Sequence, residues 1–223
     1  MEKLIYIFII SFSFCETTQF MISFMGLDAA KVSIKIEDGT YDDLNAKIIT
    51  YRTKTLKAFN KLFPVDNYYK TIVTTDLNEI LYFEKKTSQP WLNNDIKTIK
   101  HDNKILYSDS SIEIPKNYYN IFSLLELLNQ KPINEIIKKE YKLEKEGEKY
   151  IAKFSRGEDL TVVYLDLQFK EQYSKSLLKG TDIFTWAIFK NGSERKLKIK
   201  NGKLVYCEFS LGLVNMKAKI LAK

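Results

Sequence analysis

Residues 20–39 read FMISFMGLDAAKVSIKIEDG, and this stretch decides the fold. Phe20, Ile22 and Phe24 alternate with Met21, Ser23 and Met25, after which Gly26 permits a turn. Val32, Ile34 and Ile36 then alternate with Lys31, Ser33 and Lys35. Side chains of a strand point alternately to opposite faces, so a period of two predicts two strands sharing one apolar face. Asp38-Gly39 is expected to close the second strand.

The same alternation recurs outward from this hairpin, at 47–53, 68–75, 80–85, 96–100 and 104–107. His101-Asp102-Asn103 separates the last two as a second hairpin turn. Later segments at 141–144 and 150–154 flank Glu146-Gly147, and 160–168, 184–189, 195–199, 204–209 and 215–221 complete the expected strands. Turns are expected at Asn191-Gly192 and Asn201-Gly202, since Asn-Gly between alternating stretches is the strongest short-range hairpin signal.

Residues 118–128 break the pattern. Ile121, Phe122, Leu124, Leu125 and Leu128 recur at helical spacing, Asn117 or Asn120 supplies a cap, and Pro132 stops continuation. The helix is apolar over most of its circumference and must be covered on more than one side. Residues 132–139 extend either the loop or a second short helix. With no internal repeat and no Pro/Gly/Ser linker, one domain over 16–223 follows. It is mainly β, a single strongly curved antiparallel sheet or open β-barrel with one short apolar helix.

Composition agrees. Of 223 residues, 45% are hydrophobic and 28% charged, which supplies a core and excludes disordered, collagen-like and disulfide-scaffold classes. The net charge of +7 invites a nucleic-acid reading. Arg52, Arg156 and Arg195 are the only arginines, however, and the lysines are interleaved with acids, which describes a solvated surface. No nucleic-acid partner is expected.

At the N-terminus, residues 4–14 form an uncharged, mainly apolar run after Lys3, too short to span a bilayer but of signal-peptide length. Ser13 and Cys15 suit the small-residue positions before a cut at Glu16, so residues 1–15 are expected to direct export to the periplasm. The alternative is a membrane-anchored lipoprotein acylated on Cys15, against which stands the bulky Phe14. The mature chain is expected to carry no transmembrane segment, and Cys207 would be its only cysteine.

Chemistry is short of parts. His101 is the only histidine and sits on a turn, so a hydrolase would lack an oriented base. Cys207 alternates with Val205 and Phe209 and reads as a core thiol. One His and two Cys assemble no imidazole–thiolate metal site. Asp28, Asp66 and Asp76 are the carboxylates to inspect, with hydrogen-bonded turn roles expected. No catalytic residue, metal site or cofactor is assigned.

The strand–Gly–aliphatic–small–small–strand opening at 20–34 resembles that of a family of exported bacterial envelope proteins of unknown function. The resemblance continues through Asp66 with Tyr68-Tyr69, Asp76 with Tyr82-Phe83, the helix near Asn120, Trp186, residues 191–199, and Gly212 in 211–221. It departs at Ala30, where the family has a second glycine, and at Asn120, where it has an aspartate. It implies a curved sheet or open barrel in the envelope, Gly26, Asp66, Asp76, Tyr82 and Gly212 as structural positions, and no reaction.

A curved sheet with an apolar helix can hold a hydrophobic guest, with Trp91, Phe122, Leu125, Leu128 and Trp186 expected to line its cavity. The function expected is a non-enzymatic binding or assembly factor whose partner is a lipid or other hydrophobic small molecule. The alternatives are a module that docks an envelope protein through an exposed sheet edge, and a hydrolase using His101.

Overall fold

The computed structural model describes residues 15–102, 104–108, 112–173 and 180–221. The expected export run, residues 4–14, lies outside them. The first half of the chain forms strands β1 (Cys15–Phe24), β2 (Leu27–Tyr41), β3 (Leu44–Thr55), β4 (Asp66–Thr74), β5 (Ile80–Gln89), β6 (Leu92–His101) and β7 (Lys104–Tyr107). The second half forms β8 (Glu140–Lys145), β9 (Glu148–Arg156), β10 (Val162–Gln172), β11 (Glu194–Lys200), β12 (Lys203–Leu211) and β13 (Val214–Ile220). Short helices α1 (Lys57–Asn60), α2 (Ile121–Gln130), α3 (Ile133–Ile136) and α4 (Ile183–Phe189) interrupt them.

All thirteen strands join one antiparallel sheet in the order β7-β6-β5-β4-β3-β2-β1-β13-β12-β11-β10-β9-β8. Each half is a run of consecutive hairpins, and the halves meet where β1 pairs with β13, Phe20 opposite Ile220 and Phe24 opposite Met216. The sheet is an open barrel. Among the described residues no ladder joins edges β7 and β8; residues 112–120 bridge the gap instead. Leu106 pairs with Glu113 on one side and Tyr119 with Leu143 on the other. The Tyr119 N–H donates to Lys142 O at 2.9 Å and the Glu144 N–H to Tyr119 O at 2.8 Å, so both exposed edges are covered.

The apolar face of the sheet turns inward and its outer face carries the charges, as Lys31, Lys35, Arg52, Lys54 and Lys86 show. This polarity is the reverse of the apolar outer band of a membrane-spanning barrel. No described helix is long and apolar enough to cross a membrane.

Eight strands already enclose a space that side chains alone can fill, so thirteen leave a lumen that needs further filling. Helix α2 lies within it, and its first eight residues, Ile121 to Leu128, are all buried. The Asn120 side chain accepts from the Ser123 N–H at 3.0 Å as the N-cap and donates through Nδ2 to Thr71 Oγ1 at 2.7 Å. One residue thus starts the helix and ties it to β4. Replacing Asn120 by Ala is expected to cost about 1–2 kcal/mol, read as a shift of the denaturation midpoint.

Three expectations are corrected. Residues 184–189 form helix α4 and not a strand: a short run, apolar except for Thr185, has no period to distinguish the two, and Asp182 caps it, accepting from Phe184 N–H at 3.1 Å and Thr185 N–H at 3.0 Å. Strand β2 does not end at Asp38-Gly39 but runs to Tyr41, and Asp42 and Asp43 make the turn with φ of 51° and 63°. Gly39 instead admits the Ile48 side chain, whose Cδ1 would lie 3.1 Å from an added Cβ. Finally, β5 and β6 are longer than their alternation suggested and turn at Pro90-Trp91.

Candidate functional site

The lumen is filled unevenly. Between α2 and the wall β3-β2-β1-β13-β12 lies a cleft of about 780 Å³. It is lined by Phe20, Ile34, Ile36, Tyr51, Leu204 and Ile220, with Glu126, Asn129 and Gln130 from the last turn of α2 and Lys47, Lys203 and Glu16 at its margin. Ile34, Ile36 and Ile220 stand among the apolar residues of the inner face yet are only half-buried. Apolar groups at such positions remain accessible only where no other side chain fills the space they face.

Several polar groups of the cleft are fixed by neighbouring residues. Glu126 accepts from Asn129 Nδ2 at 2.7 Å and from Gln130 Nε2 at 3.0 Å, while Asn129 Oδ1 accepts the Leu204 N–H at 2.7 Å. Lys203 pairs with Glu16, and Lys47 with Asp38 at 2.8 Å. Burial, with the Glu126 charge added, holds the Tyr51 phenol above its ordinary range, so it remains a neutral wall.

The other end of the lumen is polar. Lys85, fully buried, sits 2.7 Å from Asp182 and 2.8 Å from Glu146 and donates to Thr185 Oγ1 at 3.1 Å. Tyr69 donates to Asp182 Oδ1 at 2.8 Å. Burial alone would lower the Lys85 ammonium, but Glu146 and Asp182 outweigh it and hold the pKa above its ordinary value. Burial likewise works against ionised Asp182, yet Lys85 and the bonds from Thr185 keep its carboxyl below the usual range. The cluster ties β5 to the Glu146 turn and to the start of α4.

Beside it, burial pushes Glu144 up to about 7 despite the Gly147 N–H at 2.9 Å and the hydroxyls of Tyr107 at 2.9 Å and Tyr173 at 3.0 Å. The adjoining space, about 20 Å³, admits one water and no organic substrate. At the far end of α4, Arg195 donates to Ser193 O at 2.8 Å, Lys190 O at 3.0 Å and Ile188 O, capping the last turn.

Of the residues expected to line a cavity, none borders the large cleft. Phe122 is the hub of an aromatic cluster, 4.8 Å from Tyr51, 5.1 Å from Tyr69 and 5.7 Å from Phe184 by ring centroids, and touches only the small space. Leu125 and Leu128 are buried in the core, and Trp186 packs half-buried on α4. Trp91 is 98% exposed on the β5–β6 turn, so its expected place in a cavity wall is corrected. Gly26 and Gly212 have φ of 85° and 56° in hairpin turns. Asp66 pairs with Arg52 at 3.3 Å and Lys54 at 3.2 Å, Asp76 accepts from Thr74 at 2.6 Å, Asp28 from Ser23 at 2.6 Å, and Tyr82 bonds Glu84 at 3.3 Å. The three aspartates do not converge.

His101 is 70% exposed beside Asp102 at 3.3 Å, and among the described residues no serine bonds it. Burial raises the Cys207 thiol to about 12, the state of a core cysteine. No group of three potential metal ligands occurs among the described residues.

No protein-family profile matches this chain, and no curated protein does. Among solved structures it is similar to the crystal structure of a beta-barrel-like protein of Domain of Unknown Function DUF1849 from Brucella abortus. Identity is 11% and the TM-score 0.50, over 92% of this chain and 95% of that one. The likeness extends to the barrel-like fold of a bacterial protein of unknown function, and at that identity to the fold alone.

Proposed function

We propose that this chain is an exported, non-enzymatic envelope protein that binds a hydrophobic small molecule, lipid-like in shape, inside its open barrel. The observation that carries the reading is the cleft of about 780 Å³ beside α2. Its volume lies within the range of sites that enclose small organic ligands, and its aliphatic and aromatic wall of Phe20, Ile34, Ile36, Tyr51, Leu204 and Ile220 faces a margin of polar residues that includes Glu16, Thr17, Thr18 and Gln19. A ligand gains by covering the half-buried Ile34, Ile36 and Ile220, at about 25 cal/mol per Å² of apolar surface removed from water. Export rests on the run at residues 4–14.

Native mass spectrometry of the chain purified from a periplasm, before and after solvent extraction, tests this directly. A discrete lipid-sized adduct that extraction removes is the expected result. Independently, Ile36→Trp fills the cleft from β2 and is expected to weaken binding of a fluorescent fatty acid by about tenfold, since adding bulk to the wall displaces the chain. An apo mass together with unchanged probe affinity in Ile36→Trp overturns the proposal.

A further inference from the structure

The barrel has two rims, and they differ in chemistry. One carries the turns at Asp42-Asp43, Asp76 to Glu79, His101-Asp102 and Asn201-Gly202, whose exposed residues are polar, with Leu44 and Leu160 as the exposed apolar side chains at its connections. The opposite rim carries, consecutively in sheet order, the β5–β6, β3–β4, β1–β2 and β12–β13 connections. At their tips stand Trp91, Leu62 and Phe63, Met25 and Leu27, and Leu213. Of the ten large apolar side chains exposed among the described residues, these are six, and Trp91 and Leu213 are 98% and 93% exposed.

Nothing in the fold requires them. Met25 and Trp91 occupy left-handed positions, φ 48° and 62°, where Gly or Asn is at home and a bulky side chain is strained. These two residues combine backbone strain with exposure of apolar surface, and neither gains burial in return.

We propose that this rim docks on an anionic lipid surface, inserting its four tips at the headgroup boundary. Apolar side chains carried on four separate connections, at 90–91, 56–65, 25–26 and 212–213, suit a fluid surface better than a single shaped protein pocket. Tryptophan favours the membrane interface, where its apolar ring and N–H both find partners. Lys57 and Lys61 precede Leu62 on the β3–β4 connection, the charged residue of the β1–β2 turn is Asp28, and the β5–β6 and β12–β13 tips carry none. This local excess of positive charge, on a chain of net +7, complements anionic headgroups. The proposal is independent of the cleft, which opens near the other rim.

The full chain carrying Trp186→Phe leaves Trp91 as the only tryptophan, so its fluorescence reports on one tip. Equimolar phosphatidylcholine–phosphatidylglycerol vesicles are expected to shift that emission to the blue. The triple variant Leu62→Ser, Trp91→Ser, Leu213→Ser changes only exposed positions and keeps the N-terminal run. It is expected to float with the vesicles about tenfold less well than wild type. Unmoved Trp91 emission with equal flotation overturns the proposal. So does lipid-free self-association in sedimentation that the triple variant abolishes, since the rim would then join two copies.

Discussion

Asp182→Ala is expected to destabilise the protein by about 3–5 kcal/mol, because it strips a partner from a fully buried lysine. Four contacts disappear together: the 2.7 Å pair with Lys85, the acceptors for the Tyr69 and Thr185 hydroxyls, and the cap of α4. In a chain of this size the loss is a fall in Tm of roughly 10 °C, readable by differential scanning calorimetry. Asp182→Asn separates charge from cap, since asparagine caps a helix as well as aspartate does. If Asp182→Asn melts with wild type, the charge is not what anchors α4.

The second large effect is one of pH. The folded-state pKa of Glu144, about 7, lies above its ordinary 4.5. A raised folded pKa means that the native state binds the proton more tightly than the unfolded chain, so the stabilisation is present below pH 4.5 and is lost as pH climbs through 7. The difference corresponds to about 3 kcal/mol. The Gly147 N–H and the Tyr107 and Tyr173 hydroxyls favour the carboxylate and are outweighed by burial, and the protonated form has a place to donate, since Oε2 lies 3.0 Å from Tyr107 Oη. Denaturant titrations at pH 5 and pH 8 are expected to show this loss in wild type. In Glu144→Gln, where the amide supplies the donor permanently, the contribution from this site is expected to vanish. An equal pH slope in both proteins would place the titrating group elsewhere.

Both effects arise in a part of the molecule that the sequence discloses only by parity. Phe83, Lys85, Thr87 and Gln89 alternate inward along β5, so a reader who extends the alternation past Lys85 finds a lysine on the core face. Its partners, Glu146 on a turn and Asp182 before α4, lie 61 and 97 residues away and no local pattern announces them. The strands themselves were legible because a half-buried sheet writes its period into each segment separately. Helix α4 was not, because a short run that is apolar except for Thr185 satisfies a buried strand and a buried helix equally. Ile34 and Ile36 were recognisable as inward-facing. That they border a cleft while Phe122 and Leu125 fill the core depends on where α2 sits across the lumen, which only tertiary packing decides. Trp91 shows the opposite hazard, since an aromatic read as cavity lining proved to be a turn tip.

The pairing of the first strand with the last sets a schedule for synthesis. Phe20 must wait for Ile220, on the order of 10–40 s at ribosomal elongation rates, while each other strand of the first half can find a neighbour almost as soon as it emerges. Through that interval β1 presents one bare edge, which another nascent chain could capture. Docking of the two meanders along β1 and β13 is therefore the high-contact-order step that governs how fast the barrel assembles and when it is most exposed to aggregation.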